Sequence, residues 1–245
     1  MDKQKSLKDA YEKKYFDKTP HVKNSRVAPQ TPGTKVVKIF GFEKKWDIYP
    51  EFENKNVTDI WGGLSNFAFE LSPSVQKIIV VDPTYQYNLQ ECVEEQYQKA
   101  TKRIQSTIEV QSTSKKDLTE NLKLEKEVAE WIQKRRQNFI NPDPKIELNS
   151  SFAQDLKWIS ENSQDFVFFN FVLHTLKDEI SLEDEIVAAV NNAYRITKVW
   201  GKIYGIHDAV SKEDEIINAL SKTDYTRDAR HKEHKKYTVF IIDKK

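Results

Sequence analysis

Stretches rich in β-branched and aromatic residues recur along the chain, and most are separated by segments with helical spacing. The predicted strands are Asn56–Ile60, Lys77–Asp82, Lys145–Asn149, Asp165–Leu173, Gly201–Ile206, a strand near Tyr225–Arg230, and Tyr237–Asp243. The predicted helices run from Ser65 or Asn66 to Leu71 and over Ala153–Ser160, Glu183–Ile196 and Glu213–Leu220. Strands that alternate with helices form parallel sheets, so the pattern predicts an α/β fold. The last two strands have no helix between them, which adds an antiparallel final strand.

The chain ahead of the first predicted strand is polar and then irregular. Residues 1–34 mix lysines, acids and polar groups, so we expect a mobile polar tail followed by a single domain at 35–245. Residues 35–40 are apolar at most positions and are expected to form either an edge strand or a lead-in element.

A long helical insert is predicted at about 86–140, between the second and third strands. Two segments with apolar residues at helical spacing flank a Ser-Thr-Ser stretch, which predicts an αα-hairpin with amphipathic faces. Trp131, Trp158 and Trp200 are expected to lie in the core or to pack against this insert. The insert is expected to act as a lid or to contact a partner or a second copy of the chain.

Glycine is scarce, with 6 residues in the whole sequence, so the places where it occurs are informative. Gly62 and Gly63 follow the first predicted strand after one residue, Trp61, and the fourth residue of that strand is Asp59. Asp82 ends the second predicted strand. A strand, a glycine turn, a helix, a second strand and an acid form the layout of a nucleotide-type site in a βαβ unit. The structural alternatives are a turn-capping role for Asp59, a tight turn without ligand at the glycines, and a helix N-cap at Asp82.

Composition and charge exclude several classes of protein. The formal net charge is +1, so no overall field favours nucleic acid or membrane. The apolar run Phe166–Leu173 is too short to span a bilayer, and no membrane contact is expected. Cys92 is the single cysteine, which excludes an internal disulfide and fits a reducing, cytoplasmic setting. His231 and His234 lie in a lysine-rich segment without suitable co-ligands, so no metal site is predicted.

Five segments occur in a recognisable order: VTDIWGGLSN, IIVVDPTY, SQDFVFFNFVLHTL, AYRITKVWGKIYGIH and YTVFIIDKK. The first resembles a D-x-G-x-G-x-G motif, the second a strand that ends in a ribose-binding acid, and the third a strand followed by its exit loop. The last two resemble a fifth strand and a closing strand. In this order the segments resemble the class I S-adenosylmethionine-dependent methyltransferases over residues 50–245, the insert excluded.

The resemblance implies a Rossmann-like, mostly parallel seven-stranded sheet with an antiparallel last strand, and S-adenosyl-L-methionine as the cofactor. It implies cofactor contacts at Asp59, Gly62, Gly63, Asp82, Phe152, Ala153, Asn170 and Phe171, and catalytic roles for Asn170 and His174. The chain departs from the motif because Trp61 and Ser65 stand where its outer glycines usually are. Phe152 stands near the place of an acid that the family often has after the third strand.

The expected function is therefore methyl transfer to an acceptor that the sequence does not identify. A small molecule is slightly favoured, and a nucleic acid stays open but is not favoured, because the stretch NFVL lacks the N-P-P-aromatic motif of base-methylating enzymes. The main alternative is a catalytically inactive Rossmann-like module for binding or scaffolding. A nicotinamide dehydrogenase is disfavoured because the glycine pair does not supply G-x-G-x-x-G.

Overall fold

The computed structural model describes residues 37, 39–60, 62, 67–86, 98, 133, 136–170, 182–208, 220–223, 229–234 and 237–245. The predicted tail at 1–34 and nearly all of the predicted helical insert lie outside these residues, so both stay predictions. The predicted helix at Glu213–Leu220 also lies outside them except for its last residue.

The described chain is built on one mixed sheet. Its strands are β1 (Asn56–Ile60), β2 (Lys77–Val81), β3 (Ile146–Asn149), β4 (Gln164–Asn170), β5 (Thr197–Asp208), β6 (Ala229–His234) and β7 (Tyr237–Asp243). The 7 strands follow the order β3-β2-β1-β4-β5-β7-β6. Strands β1 to β5 run parallel to one another, and β7 pairs antiparallel with both β5 and β6. The expected α/β, Rossmann-like architecture with an antiparallel last strand is present.

One register row crosses the whole sheet and lies at the carboxyl ends of β1, β2 and β3. The row consists of Asn149, Val81, Ile60, Phe169, Gly205, Phe240 and His231. Strands β1, β2 and β3 end in this row, and β4 continues one residue beyond it. The carboxyl ends of four adjacent parallel strands are therefore level, which places the loops that follow them side by side.

A short helix covers one face of the sheet. Helix α1 (Phe67–Leu71) buries Phe67, Ala68 and Leu71 at helical spacing, and it ends before Pro73, which cannot continue a helix. These residues pack in one cluster with Val80 and Phe168. We call this side of the sheet the α1 face.

A longer helix covers the opposite face. Helix α2 (Leu182–Ile196) begins with three consecutive acids after Leu182 and carries Arg195 in its last turn, as the helix dipole favours. It buries Ile186, Ala189, Val190, Ala193 and Ile196 against the sheet. No helix among the described residues is long and apolar enough to cross a membrane.

The lead-in segment packs over the α1 face with its aromatic side chains. Val37 and Ile39 are helical, so of the two alternatives for 35–40 the lead-in element is correct and the edge strand is wrong. The Phe42 ring centroid lies 4.7 Å from that of Phe52 and 5.3 Å from that of Tyr204. An edge strand would have left this aromatic surface of the sheet uncovered.

The predicted helix at Ala153–Ser160 is wrong, because the segment forms successive turns. Ala153, Leu156 and Ile159 are buried, and this three-residue spacing imitates one face of a helix. The carbonyls of the segment are instead bound by α2: Arg195 Nη2 donates to the carbonyls of Leu156 at 2.6 Å and Ile159 at 3.1 Å. Since side chains of α2 satisfy these carbonyls, the segment needs no helical hydrogen bonds of its own.

Of the two alternatives for Trp158 and Trp200, a place in the core is wrong, and packing against the insert stays a prediction. Their side chains are 40% and 81% exposed, while Trp131 lies outside the described residues. The β4–β5 register shifts between Gln164 and Phe166, and the extra residues of β5 form a bulge there. Trp200 sits in this bulge with a φ of 66°, which turns its side chain away from the sheet.

We predict that Gly205→Ala lowers the free energy of unfolding by about 1–3 kcal/mol, the usual cost of overpacking a core. A Cβ added at Gly205 would overlap the Phe240 ring on the neighbouring strand. Urea denaturation measures the loss. Val199→Ala, at a side chain that is 51% exposed in the same strand, is the control and should change stability by less than about 0.5 kcal/mol. Equal effects of the two substitutions would contradict the packing described here.

Alkaline pH should destabilise the protein partly through Tyr49. Burial, followed by the negative charge of Glu70, raises the pKa of Tyr49 from 10.0 to about 12. Because the folded-state pKa lies above the unfolded one, this contribution to stability is complete below pH 10.0 and is lost as the pH rises toward about 12. Urea midpoints across this range should fall less steeply for Tyr49→Phe than for the wild type. Parallel curves for the two proteins would show that Tyr49 does not carry this dependence.

Candidate functional site at the carboxyl edge of the sheet

The carboxyl edge of the sheet gathers most of the candidate site residues that the structure describes. Asp59 lies one residue before the end of β1, and Asp82 directly follows the end of β2. Asn170 is the last residue of β4, beside the strand that carries Asp59. Because the three strands are adjacent and parallel, the spacing of these residues in the sequence becomes proximity at one edge.

Asp59 is a buried acid on the α1 face. Its side chain is 1% exposed, and its partners in the register are Val80 on one side and Phe168 on the other. Both partners belong to the apolar cluster on that face. A carboxylate in such surroundings is costly unless hydrogen-bond donors offset its charge.

Gly62 lies directly against this carboxylate. A Cβ added at Gly62 would overlap the Cγ1 methyl of Val80 and would lie 2.8 Å from Oδ2 of Asp59. The sequence suggested that glycine here permits a close approach of the backbone, and the geometry identifies what is approached. The chain that leaves β1 crosses over the side chains of Val80 and Asp59.

Asp82 is the second buried acid and is 4% exposed. Its backbone N–H donates to the carbonyl of Asn149 at 2.9 Å, which fixes the residue beside the end of β3. Its carbonyl accepts from the N–H of Tyr85 at 3.1 Å, at the start of the 3-10 helix Pro83–Gln86. A short helix that begins at Pro83, as the structural alternative for Asp82 expects, is therefore present.

Phe152 and Ala153 follow β3 and lie against the α2 face. Ala153 is 2% exposed and belongs to the core on that face, and Phe152 is half-buried against the same core. The Phe152 carbonyl accepts from the N–H of Asp155 at 2.9 Å in the first of the turns that replace the predicted helix. An adenine contact at this pair stays a prediction.

Several predicted site residues lie outside the described part of the chain. They are Gly63, Phe171 and His174, together with Trp61 and Ser65, which occupy the outer glycine positions of the motif. The backbone of Asn170 forms the last residue of β4. The catalytic roles of Asn170 and His174 stay predictions.

Sequence reasoning missed two residues of this edge. Asn149 ends β3 in the register row, and its Oδ1 accepts from the N–H of Ser151 at 2.9 Å, which shapes the turn toward Phe152. An Asn followed by serines at a strand end is a recognised turn signal and could have identified it. The sequence gave no such signal for Val80, because its contacts with Asp59 and Gly62 depend on the pairing between β1 and β2.

The described edge can bind a ligand that offers several hydrogen-bond donors. Carboxylates such as those of Asp59 and Asp82, near adjacent strand ends, can accept hydrogen bonds from hydroxyl or ammonium groups. Among the described residues, no group of three His, Cys, Asp or Glu side chains could hold a metal ion. The arrangement suits binding and orientation of a ligand more than acid–base catalysis by the described residues.

Several solved structures that resemble this chain are described as methyltransferases. A SAM-dependent methyltransferase from Aquifex aeolicus is 15% identical, with 97% of this chain and 95% of that chain covered and a TM-score of 0.46. The N-methyltransferase NodS from Bradyrhizobium japonicum, crystallised with S-adenosyl-L-homocysteine, is 11% identical over 78% of this chain and 79% of that one, with a TM-score of 0.44. An rRNA methylase from Streptococcus thermophilus is 10% identical over 79% and 88%, with a TM-score of 0.43. At these identities the likeness concerns the fold.

No protein-family model and no curated protein matches the sequence.

Proposed function

We propose that this protein transfers a methyl group from S-adenosyl-L-methionine to an acceptor. The observation that carries the proposal is the position of Asp82, a buried acid directly after β2, the strand that pairs with β1. A carboxylate at this place can accept hydrogen bonds from both hydroxyls of a ribose. The strand order reverses its direction between β1 and β4. In open α/β sheets, ligands bind in the crevice that forms at such a reversal, at the carboxyl ends of the strands.

The residues of this edge fit S-adenosylmethionine part by part. Asp82 holds the ribose, and Asp59 orients the turn and reaches the amino group of the cofactor through water. Gly62 and Gly63 let the backbone approach the cofactor. The adenine ring is held by Phe152 and Ala153 through stacking and a backbone amide. Asn170 and Phe171 lie beside the methyl group that is transferred.

The sulfonium centre of the cofactor supplies an activated methyl group. The protein therefore has to align the acceptor with that group, and alignment alone lowers barriers by as much as about 7–11 kcal/mol. Asn170, at the end of β4, orients the acceptor. His174, four residues further along the chain, removes a proton from the acceptor where the acceptor carries one.

The acceptor is proposed to be a small molecule, with the helical insert at about 86–140 acting as its cap or as a contact to a partner. A nucleic-acid acceptor is less favoured because the residues after β4 do not carry the motif of base-methylating enzymes. A cytoplasmic location, as expected from the single cysteine, belongs to the same proposal.

A second candidate is a Rossmann-like module that has lost turnover and serves for binding or scaffolding. It is favoured by one specific feature, the replacement of the outer motif glycines by Trp61 and Ser65. An indole beside the turn would reduce the room for the methionine part of the cofactor. The two candidates differ in whether the protein binds the cofactor at all.

S-adenosyl-L-homocysteine should raise the melting temperature of the protein. A ligand present at about a hundredfold excess over its Kd stabilises the folded state by about 2.7 kcal/mol. Thermal unfolding followed by circular dichroism measures the shift. Adenosine, which would fill only part of the proposed site, is the control and should give a smaller shift. The absence of a shift with both S-adenosylmethionine and S-adenosylhomocysteine would favour the module without turnover.

Asp82→Asn should weaken the binding of S-adenosylhomocysteine by about tenfold or more, because a hydrogen bond to a charged group contributes about 1.5–3 kcal/mol. Calorimetric titration measures the Kd. Glu147→Gln is the matched control, since Glu147 lies on neighbouring β3 before its carboxyl end and pairs with Lys77 at 2.5 Å. That control should bind like the wild type. Equal Kd values for Asp82→Asn and the wild type would remove the ribose assignment.

A further inference from the structure

The close packing of Gly62 against the sheet points to a function that its position in the motif does not predict. Aligned on Asp59, the first motif glycine falls at Trp61, and Gly62 falls at the variable position after it. A variable position normally accepts a side chain. In this chain a Cβ at Gly62 would overlap Val80 and crowd Asp59, so position 62 does not accept a side chain.

The three residues form one contact on the α1 face. Asp59 and Val80 are direct neighbours in the β1–β2 register. Gly62 lies over both, because its hypothetical Cβ would reach Cγ1 of Val80 as well as Oδ2 of Asp59 at 2.8 Å and Cγ of Asp59 at 3.3 Å. The carboxylate thus lies between an apolar side chain of the adjacent strand and the backbone of the turn.

We propose that the glycine requirement of the turn has moved from position 61 to Gly62, and that Gly62 and Val80 are positioning residues for the Asp59 carboxylate. Val80 limits where the carboxylate can lie from the side of β2, and Gly62 leaves just enough room for it above the sheet. The effect on cofactor binding rests on the proposed function, whereas the steric contact among Gly62, Val80 and Asp59 does not.

A double-mutant cycle tests the proposal. Gly62→Ala should weaken the binding of S-adenosylhomocysteine by about tenfold or more, because the added methyl displaces the carboxylate or the turn. Val80→Ala removes the methyl group that the new Cβ would overlap. The variant with both substitutions should therefore bind more tightly than Gly62→Ala alone, even though Val80→Ala adds a cavity. Gly205→Ala is the control for overpacking away from this edge, and it should lower stability without changing the Kd of the folded protein.

Two measurements keep the outcomes separate. Calorimetric Kd values report on the position of the carboxylate, and urea denaturation of the same four proteins of the cycle reports on the steric contact without any ligand. Rescue in the cycle by Val80→Ala, in both the Kd and the unfolding free energy, supports the proposal. Additive unfolding free energies, or a Gly62→Ala protein that binds like the wild type, would overturn it. If the wild type binds no cofactor, the proposed function fails while the unfolding cycle still decides the steric contact.

Discussion

The parallel register of β1, β2 and β4 is the constraint on which the rest of the site depends. Ile60 pairs with Val81 and Phe169, so a single row sets the height at which β1 and β2 end, and β4 ends one residue beyond it. Asp59 lies one residue below that row and Asp82 one residue above it. A slip of one residue in either strand would turn its side chains to the opposite face and separate the two acids. The buried hydrophobic residues of both faces oppose such a slip.

The two acids then give the edge its chemical character. Both carboxylates are nearly inaccessible to solvent, and a buried charge is tolerated only where donors surround it. The apolar cluster on the α2 face reaches the register row through Ile60, Val81 and Phe169. Packing residues thus fill the middle of these strands, and under the proposed function the ligand-binding groups lie at their carboxyl ends.

Local patterns in the sequence predicted most of the strands, because a buried parallel strand needs a run such as KIIVV, which is distinctive. The strand predicted near Tyr225–Arg230 is misplaced, because β6 lies at Ala229–His234. β1 and β7 have the predicted bounds, and the acids at the ends of β1 and β2 were identified. The turns at 153–160 were mistaken for a helix because their burial repeats every three residues, and only Arg195, far away in the sequence, shows why they are not helical. The exposure of Trp200 and the contact between Gly62 and Val80 depend on a bulge and on strand pairing, which no local pattern encodes.

A crystal structure of the protein grown with saturating S-adenosyl-L-homocysteine tests the central claim most directly. The account predicts the nucleoside across the carboxyl ends of β1 and β2, with its ribose hydroxyls donating to the carboxylate of Asp82. A structure in which that carboxylate is bound by a side chain of the protein, with no nucleoside at the edge of the sheet, would contradict it.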